Sequence, residues 1–166
     1  IAARAMLPNF IAVPFAFDQI EAAVSRGEAD AGILIHELQL TFADRGLRSL
    51  GNLGALWRER FQLPLPLGAN AIRRSLGPEL VSEATAIYKT SIQYALAHRD
   101  EFVTRASQLA KEGLNDELGH RYIEMYVNDD SLDFSHDVLK SMRIMFDYGE
   151  QHGILPAVKL SESICN

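Results

Sequence analysis

Two kinds of hydrophobic pattern alternate along the first part of the chain. Apolar runs cover residues 10–15 and 30–36, and between them Phe17, Ile20 and Val24 recur at the i, i+3, i+7 spacing of one helix face. Apolar runs without alternation are typical of strands that are covered on both faces. The order strand, helix, strand therefore predicts a βαβ unit with two parallel strands. Residues 46–52 are a weaker strand candidate.

Helical periodicity dominates the second half of the chain. Before it, Asn52 is predicted to cap a short helix that carries Trp57 and Phe61 on one side. Pro78 suits the first turn of the next helix, because a backbone N–H at that position would have no acceptor within the helix and proline lacks this N–H. The predicted helical stretches in this half cover about residues 78–98, 100–113, 115–128 and 131–153.

The segment "LPLPLG", residues 63–68, separates the two patterns. Pro64 and Pro66 cannot both lie inside a helix, so an extended connector is expected. The change of pattern divides the chain into residues 1–66 and residues 67–166. Together these features predict an α/β fold with a helix-rich second half.

Composition narrows the possible functions. The 166 residues are 48% hydrophobic, which suits a globular domain with a sizeable core. The net charge is −6 with scattered Lys and Arg, so nucleic-acid binding is not expected. No apolar run approaches the ~18 residues of a membrane span, and no secretory signal is visible. The single cysteine, Cys165, cannot form an internal disulfide, and no histidine pair has metal-ligand spacing, so a metal site is not expected.

The apolar run at residues 30–36 ends in His36, which Glu37 follows. At the carboxyl end of a parallel strand, His36 would face the crevice in which open α/β sheets bind ligands. A neutral imidazole there can act as a general base near neutral pH, and Glu37 can orient it. One His-Glu pair is a weak signal, however. On spacing alone, a histidine with satisfied hydrogen bonds at a strand end is the simpler explanation.

The connector and the residues after it form a second candidate. Gly68 admits a close backbone approach, Asn70 offers a donor and an acceptor, and Arg73 and Arg74 can bind a carboxylate or phosphate. A stiff crossing followed by a solvated arginine pair explains the same residues. On physical grounds alone, that structural explanation is favoured.

Three blocks of the sequence resemble one known family. They are "VPFAFDQIEAAVSRGEADAGILIHELQLTF", "LGALWRERFQLPLPLGANAIRRSLG" and "YIEMYVNDDS", which match the order and spacing of the 1,4-dihydroxy-6-naphthoate synthases (the MqnD family) of the futalosine route to menaquinone. The resemblance implies a two-lobed fold like that of type 2 periplasmic binding proteins. Residues 1–66 would then be a second-lobe βαβ region, and residues 67–166 the lobe crossing and a helical region that packs on the first lobe.

The resemblance also implies an activity. It is the lyase reaction that converts cyclic dehypoxanthinyl futalosine to 1,4-dihydroxy-6-naphthoate in the cytoplasm, without a cofactor. The histidine of the family's "IHE" motif is the proposed proton acceptor, and that role is carried over to His36. Glu37, Gly68, Asn70 and Arg73 are candidates for orienting the base or binding the small-molecule substrate.

The sequence departs from the family in two places near the base. Leu38 stands where the family commonly has Gly, and Phe42 where it commonly has Tyr, which removes a hydroxyl that could bond to substrate. The family also has a substantial N-terminal segment that is not found here. Because the chain starts at Ile1 without an initiator methionine, we expect it to be a piece of a longer enzyme, inactive by itself.

Two alternative functions stay open at this point. Chorismate dehydratase acts in the same pathway with the same implied fold, but usually lacks the His-Glu pair after this strand, so His36 is the discriminating residue. A non-catalytic solute-binding module is the more distant alternative, since proteins of this fold commonly bind without converting their ligand.

Overall fold

The computed structural model describes residues 1–35, 38–109 and 116–157, apart from the side chains of residues 106–109, 116 and 122. Helices are the regular elements of these ranges. The α-helices are α1 (Ala2–Met6), α2 (Ile20–Ser25), α3 (Leu38–Thr41), α4 (Leu53–Phe61), α5 (Pro78–Ala97), α6 (Arg99–Leu109), α7 (Asp116–Tyr126) and α8 (His136–Gln151). Short 3₁₀ helices cover Phe17–Gln19, Phe42–Arg45, Arg74–Leu76 and Asp129–Ser131.

The predicted α/β fold is wrong, and with it the two-lobed architecture like that of type 2 periplasmic binding proteins. No strand occurs in residues 1–35, 38–109 or 116–157. The apolar runs that suggested strands are irregular and largely exposed, with Ile11 at 92% and Ile35 at 61%. The physical reason is that an apolar run carries no period of its own. A strand also requires a second backbone to complete its ladder of hydrogen bonds.

The chain forms two compact units, Ile1–Gln62 and Leu63–Asn166. The division into residues 1–66 and residues 67–166 stays a prediction. In the second half, helices form where they were predicted, but the helix predicted at residues 131–153 begins only at His136, as α8. The helices predicted at residues 78–98 and 115–128 form as α5 and α7, with ends that differ by one or two residues as terminal turns usually do. The predicted end of α6, at residue 113, lies outside the described residues.

In the first unit, α1 packs against α4. Trp57 is fully buried, and its ring lies 4.5 Å from the ring of Phe61. The Arg60 guanidinium donates to the backbone carbonyl of Ala5 at 2.7 Å, which ties the two helices together. Asn52 caps α4 as predicted, since its side chain accepts a hydrogen bond of 3.0 Å from a backbone N–H in the first turn.

In the second unit, α6 packs against α7. The side chain of Val103 in α6 is buried, at 1% exposure. Arg99 and Glu124 pair across these helices at 3.5 Å. Helix α8 begins at the cap Ser135, whose hydroxyl accepts from a first-turn backbone N–H at 3.3 Å. Ser141 of α8 is fully buried, and it donates a hydrogen bond to the connector.

Candidate functional site

His36 and Glu37 lie outside the described residues, so the site is built here from their neighbours. Residues 31–35, which precede them, are irregular, and Leu38 opens helix α3 directly after them. The described residues that precede the pair in the sequence are therefore irregular and not a strand. The pair's predicted role as general base and orienting carboxylate stays a prediction.

Helix α2 supports the segment that leads to His36. An added Cβ on Gly32 would clash with the side chain of Ile20 and meet the Cγ2 atom of Val24 at 3.2 Å. The backbone at Gly32 thus crosses α2 at a distance that only glycine permits. Beyond His36, the Arg45 guanidinium pairs with Glu21 of the same helix at 3.2 Å. Helix α2 consequently holds the chain on both sides of the candidate base.

The turn from α2 into this segment is fixed by a bidentate ion pair. Gly27 has a φ of 73°, a backbone conformation that glycine adopts without strain. On either side of it, the guanidinium of Arg26 bonds both carboxylate oxygens of Glu28 at 2.6 and 3.2 Å. The hydrogen bond from Arg26 lowers the pKa of the Glu28 carboxyl, and the bond to Glu28 raises the pKa of Arg26. Both side chains are exposed, so the pair shapes the turn more than it stabilises the fold.

The two departures from the family pattern have different surroundings. Leu38 is buried at 7% exposure, so its side chain packs inside the first unit instead of standing at the surface. Phe42 is half-buried at the start of the 3₁₀ helix Phe42–Arg45. In this structure the leucine therefore contributes apolar packing two positions after the candidate base in the sequence.

The second group of candidates lies on the connector, which is anchored at one end. Leu63 is buried at 5% exposure, and the carbonyl of Pro64 accepts a hydrogen bond of 2.7 Å from the hydroxyl of Ser141. From Leu67 to Leu76 the chain is exposed. The connector is thus fixed at its start and open to solvent where the candidate residues begin.

Gly68, Asn70 and Arg73 all lie on this exposed part. Within the described residues, an added Cβ on Gly68 would meet nothing within 4 Å, so this glycine is not required by a close contact on that side. The Asn70 amide nitrogen donates to the hydroxyl of Tyr88 in α5. Arg73 precedes a 3₁₀ turn, and its carbonyl accepts the N–H of Leu76 at 3.2 Å. The structure brings these three candidates together on one segment and does not relate them to His36 or Glu37.

The sequence analysis missed three residues that contact the candidate segments: Gly32 in the first unit, and Tyr88 and Ser141 in the second. Gly32 had a usable signal, because a lone glycine within an apolar run indicates a close backbone approach. The contacts of Tyr88 and Ser141 join residues that lie 18 and 77 positions apart in the chain. No local pattern indicates such distant pairs.

Metal and membrane features are not found in the described parts of the chain. There, no group of three or more His, Cys, Asp or Glu side chains is arranged to hold a metal ion. Among the same residues, no helix has the length and apolar character that crossing a membrane requires.

Comparison with known proteins points to one pathway. A family model described as menaquinone biosynthesis matches residues 1–151. The 1,4-dihydroxy-6-naphtoate synthase of Thermus thermophilus is 37% identical over 146 residues, which are 88% of this chain and 53% of the relative. The enzyme of the same name from Streptomyces coelicolor is 30% identical over 142 residues, which are 86% of this chain and 50% of the relative. The chain thus spans about half the length of the curated relatives it matches.

One solved structure has a fold similar to that of this chain. The crystal structure of protein AF1704 from Archaeoglobus fulgidus superposes with a TM-score of 0.78 at 38% sequence identity. The superposition covers 85% of this chain and 53% of that protein.

Proposed function

The chain belongs to the menaquinone biosynthesis family, and we propose that the protein carrying it is a 1,4-dihydroxy-6-naphthoate synthase. The observation that carries this proposal is the 37% identity to the synthase of Thermus thermophilus over 88% of the chain. The second relative, at 30% identity, has the same name. The proposed reaction is the lyase conversion of cyclic dehypoxanthinyl futalosine to 1,4-dihydroxy-6-naphthoate. A cytoplasmic location is part of the proposal.

In the proposed mechanism, His36 takes a proton from a carbon atom next to a carbonyl group of the substrate. The electron pair left behind is delocalised into that carbonyl. It then forms a carbon–carbon double bond as the bond to the sugar-derived fragment breaks, and the fragment leaves with the electrons of that bond and takes a proton from the protonated His36. Formation of the aromatic naphthoate supplies driving force. A neutral imidazole suits this step, because its ordinary pKa lies near the operating pH. Glu37 would orient the ring by accepting its second N–H.

Substrate binding is proposed for the exposed connector. The product is a carboxylate, and a guanidinium binds carboxylates through two parallel hydrogen bonds. Arg73 is exposed and makes no ion pair with the residues that the structure describes. Gly68 is exposed, and no described atom lies within 4 Å of the position that a Cβ would take there. These features support a role for Gly68, Asn70 and Arg73 in holding the substrate.

The experiment that tests the base is His36→Asn in the protein that carries this chain. Asparagine keeps a hydrogen-bonding side chain of similar size but cannot accept the proton at neutral pH. We expect substrate binding to be retained and kcat to fall by about 10²–10⁴-fold, the usual contribution of a general base.

The matched control is His136→Asn, the same change at a histidine whose side chain is 90% exposed at the start of α8. This control is expected to keep the kcat of the unmodified protein. A near-normal kcat for His36→Asn would show that another group takes the proton.

A further inference from the structure

The hydrogen bond between Asn70 and Tyr88 joins the candidate binding segment to helix α5. Tyr88 is 44% exposed, and α5 contains no buried residue. The bond therefore does not exist to satisfy a buried polar group. A hydrogen bond between exposed groups adds little net stability, because water competes for both partners. Its main physical effect is to restrict the rotation of the Asn70 side chain.

This restriction determines what the pair offers to a ligand. One N–H of the Asn70 amide is used by the tyrosine, and the amide oxygen and the second N–H remain available. Because the Tyr88 oxygen accepts this bond, its own O–H is available to donate. Within the described residues, neither side chain makes a further hydrogen bond. The Asn70 amide thus presents an acceptor and a donor side by side on the segment that also carries Arg73.

We propose that Tyr88 is a positioning residue that holds the Asn70 amide for hydrogen bonding to the hydroxyl groups of the substrate. The inference rests on the proposed function and adds a residue to it. Hydroxyl groups both donate and accept, so they match the adjoining donor and acceptor of the pair. The product has two hydroxyl groups in addition to its carboxylate. In this arrangement Arg73 binds the carboxylate, and the Asn70 amide, held by Tyr88, binds the hydroxylated part of the molecule.

The test is the Tyr88→Phe variant of the protein that carries this chain, assayed with cyclic dehypoxanthinyl futalosine. The variant keeps the ring and removes the hydroxyl. We expect KM to rise about tenfold with kcat changed less than about twofold, since the lost interaction serves binding and not the chemical step. Tyr94→Phe, the same change on the same exposed helix, is the matched control and should keep the KM of the unmodified protein.

A double variant separates positioning from general damage. If Tyr88 acts through Asn70, Tyr88→Phe should add nothing to the KM of Asn70→Ala. Equal denaturation midpoints of Tyr88→Phe and Tyr94→Phe would show that the fold is intact.

The inference is overturned if Tyr88→Phe keeps the normal KM, or if the two changes multiply. In either case the unmodified protein still converts the substrate, and the proposed function stands. If the unmodified protein does not convert the substrate, the proposed function and this inference fail together.

Discussion

Replacing Ser141 by alanine should destabilise the second unit measurably. The Ser141 side chain is fully buried, and its hydroxyl donates to the carbonyl of Pro64 at 2.7 Å. The substitution removes the donor and leaves the Pro64 carbonyl without this partner, and an unsatisfied polar group of this kind costs about 1–3 kcal/mol. Because the new methyl group fills part of the space, little cavity cost is added. We therefore expect the free energy of unfolding to fall by about 1–3 kcal/mol.

Urea denaturation followed by circular dichroism at the helix band measures this change, because both units are helical in their described parts. The matched control is Ser91→Ala, the same change at an exposed position of α5. Its effect should stay within about 0.5 kcal/mol, as for most surface substitutions. If Ser141→Ala also changed the free energy of unfolding by less than about 0.5 kcal/mol, the bond to Pro64 would not anchor the connector.

Two further predictions concern the segment around helix α2. Gly32→Ala places a methyl group against the side chains of α2, so we expect a loss of about 1–3 kcal/mol in unfolding free energy together with a lower kcat. The control for stability is Gly68→Ala, because an added Cβ meets nothing within 4 Å there. Equal stability of the two variants would refute the close packing at Gly32. Arg26 lowers the pKa of Glu28, so the stabilisation from this pair is present above the ordinary pKa of 4.5 and is lost as the pH falls through the lowered value. The difference in denaturation midpoint between the unmodified protein and Glu28→Gln should therefore be small at pH 7 and vanish in more acidic solution, and a difference that grew on acidification would contradict this sign.

The helices were predictable because their signals are local. The side-chain oxygen of Asn52 can cap a helix, and Pro78 has the fixed φ of a first helical residue. In the structure Asn52 caps α4 and Pro78 is the first residue of α5. Strands depend on partners elsewhere in the chain, and the sequence around Ile11 and Ile35 contains no information about whether a partner is present. Both side chains are exposed, so the prediction from their hydrophobicity that they lie in covered strands is wrong.

The candidate site was predictable only in part, for a related reason. Asn70 and Arg73 could be identified by the chemistry of their side chains and by the family resemblance. That Asn70 is held by Tyr88 depends on how the connector lies along α5, which the residue pattern does not specify. Likewise, a serine at position 141 gave no indication that it would bond to Pro64.

The most direct test of the proposed function is to identify the product formed by the protein that carries this chain. Purified protein would be incubated separately with cyclic dehypoxanthinyl futalosine and with chorismate, and the products identified by mass spectrometry. We predict that 1,4-dihydroxy-6-naphthoate forms from the first compound and that chorismate is unchanged. Dehydration of chorismate, or tight binding of the first compound without conversion, would contradict the assignment as a naphthoate synthase.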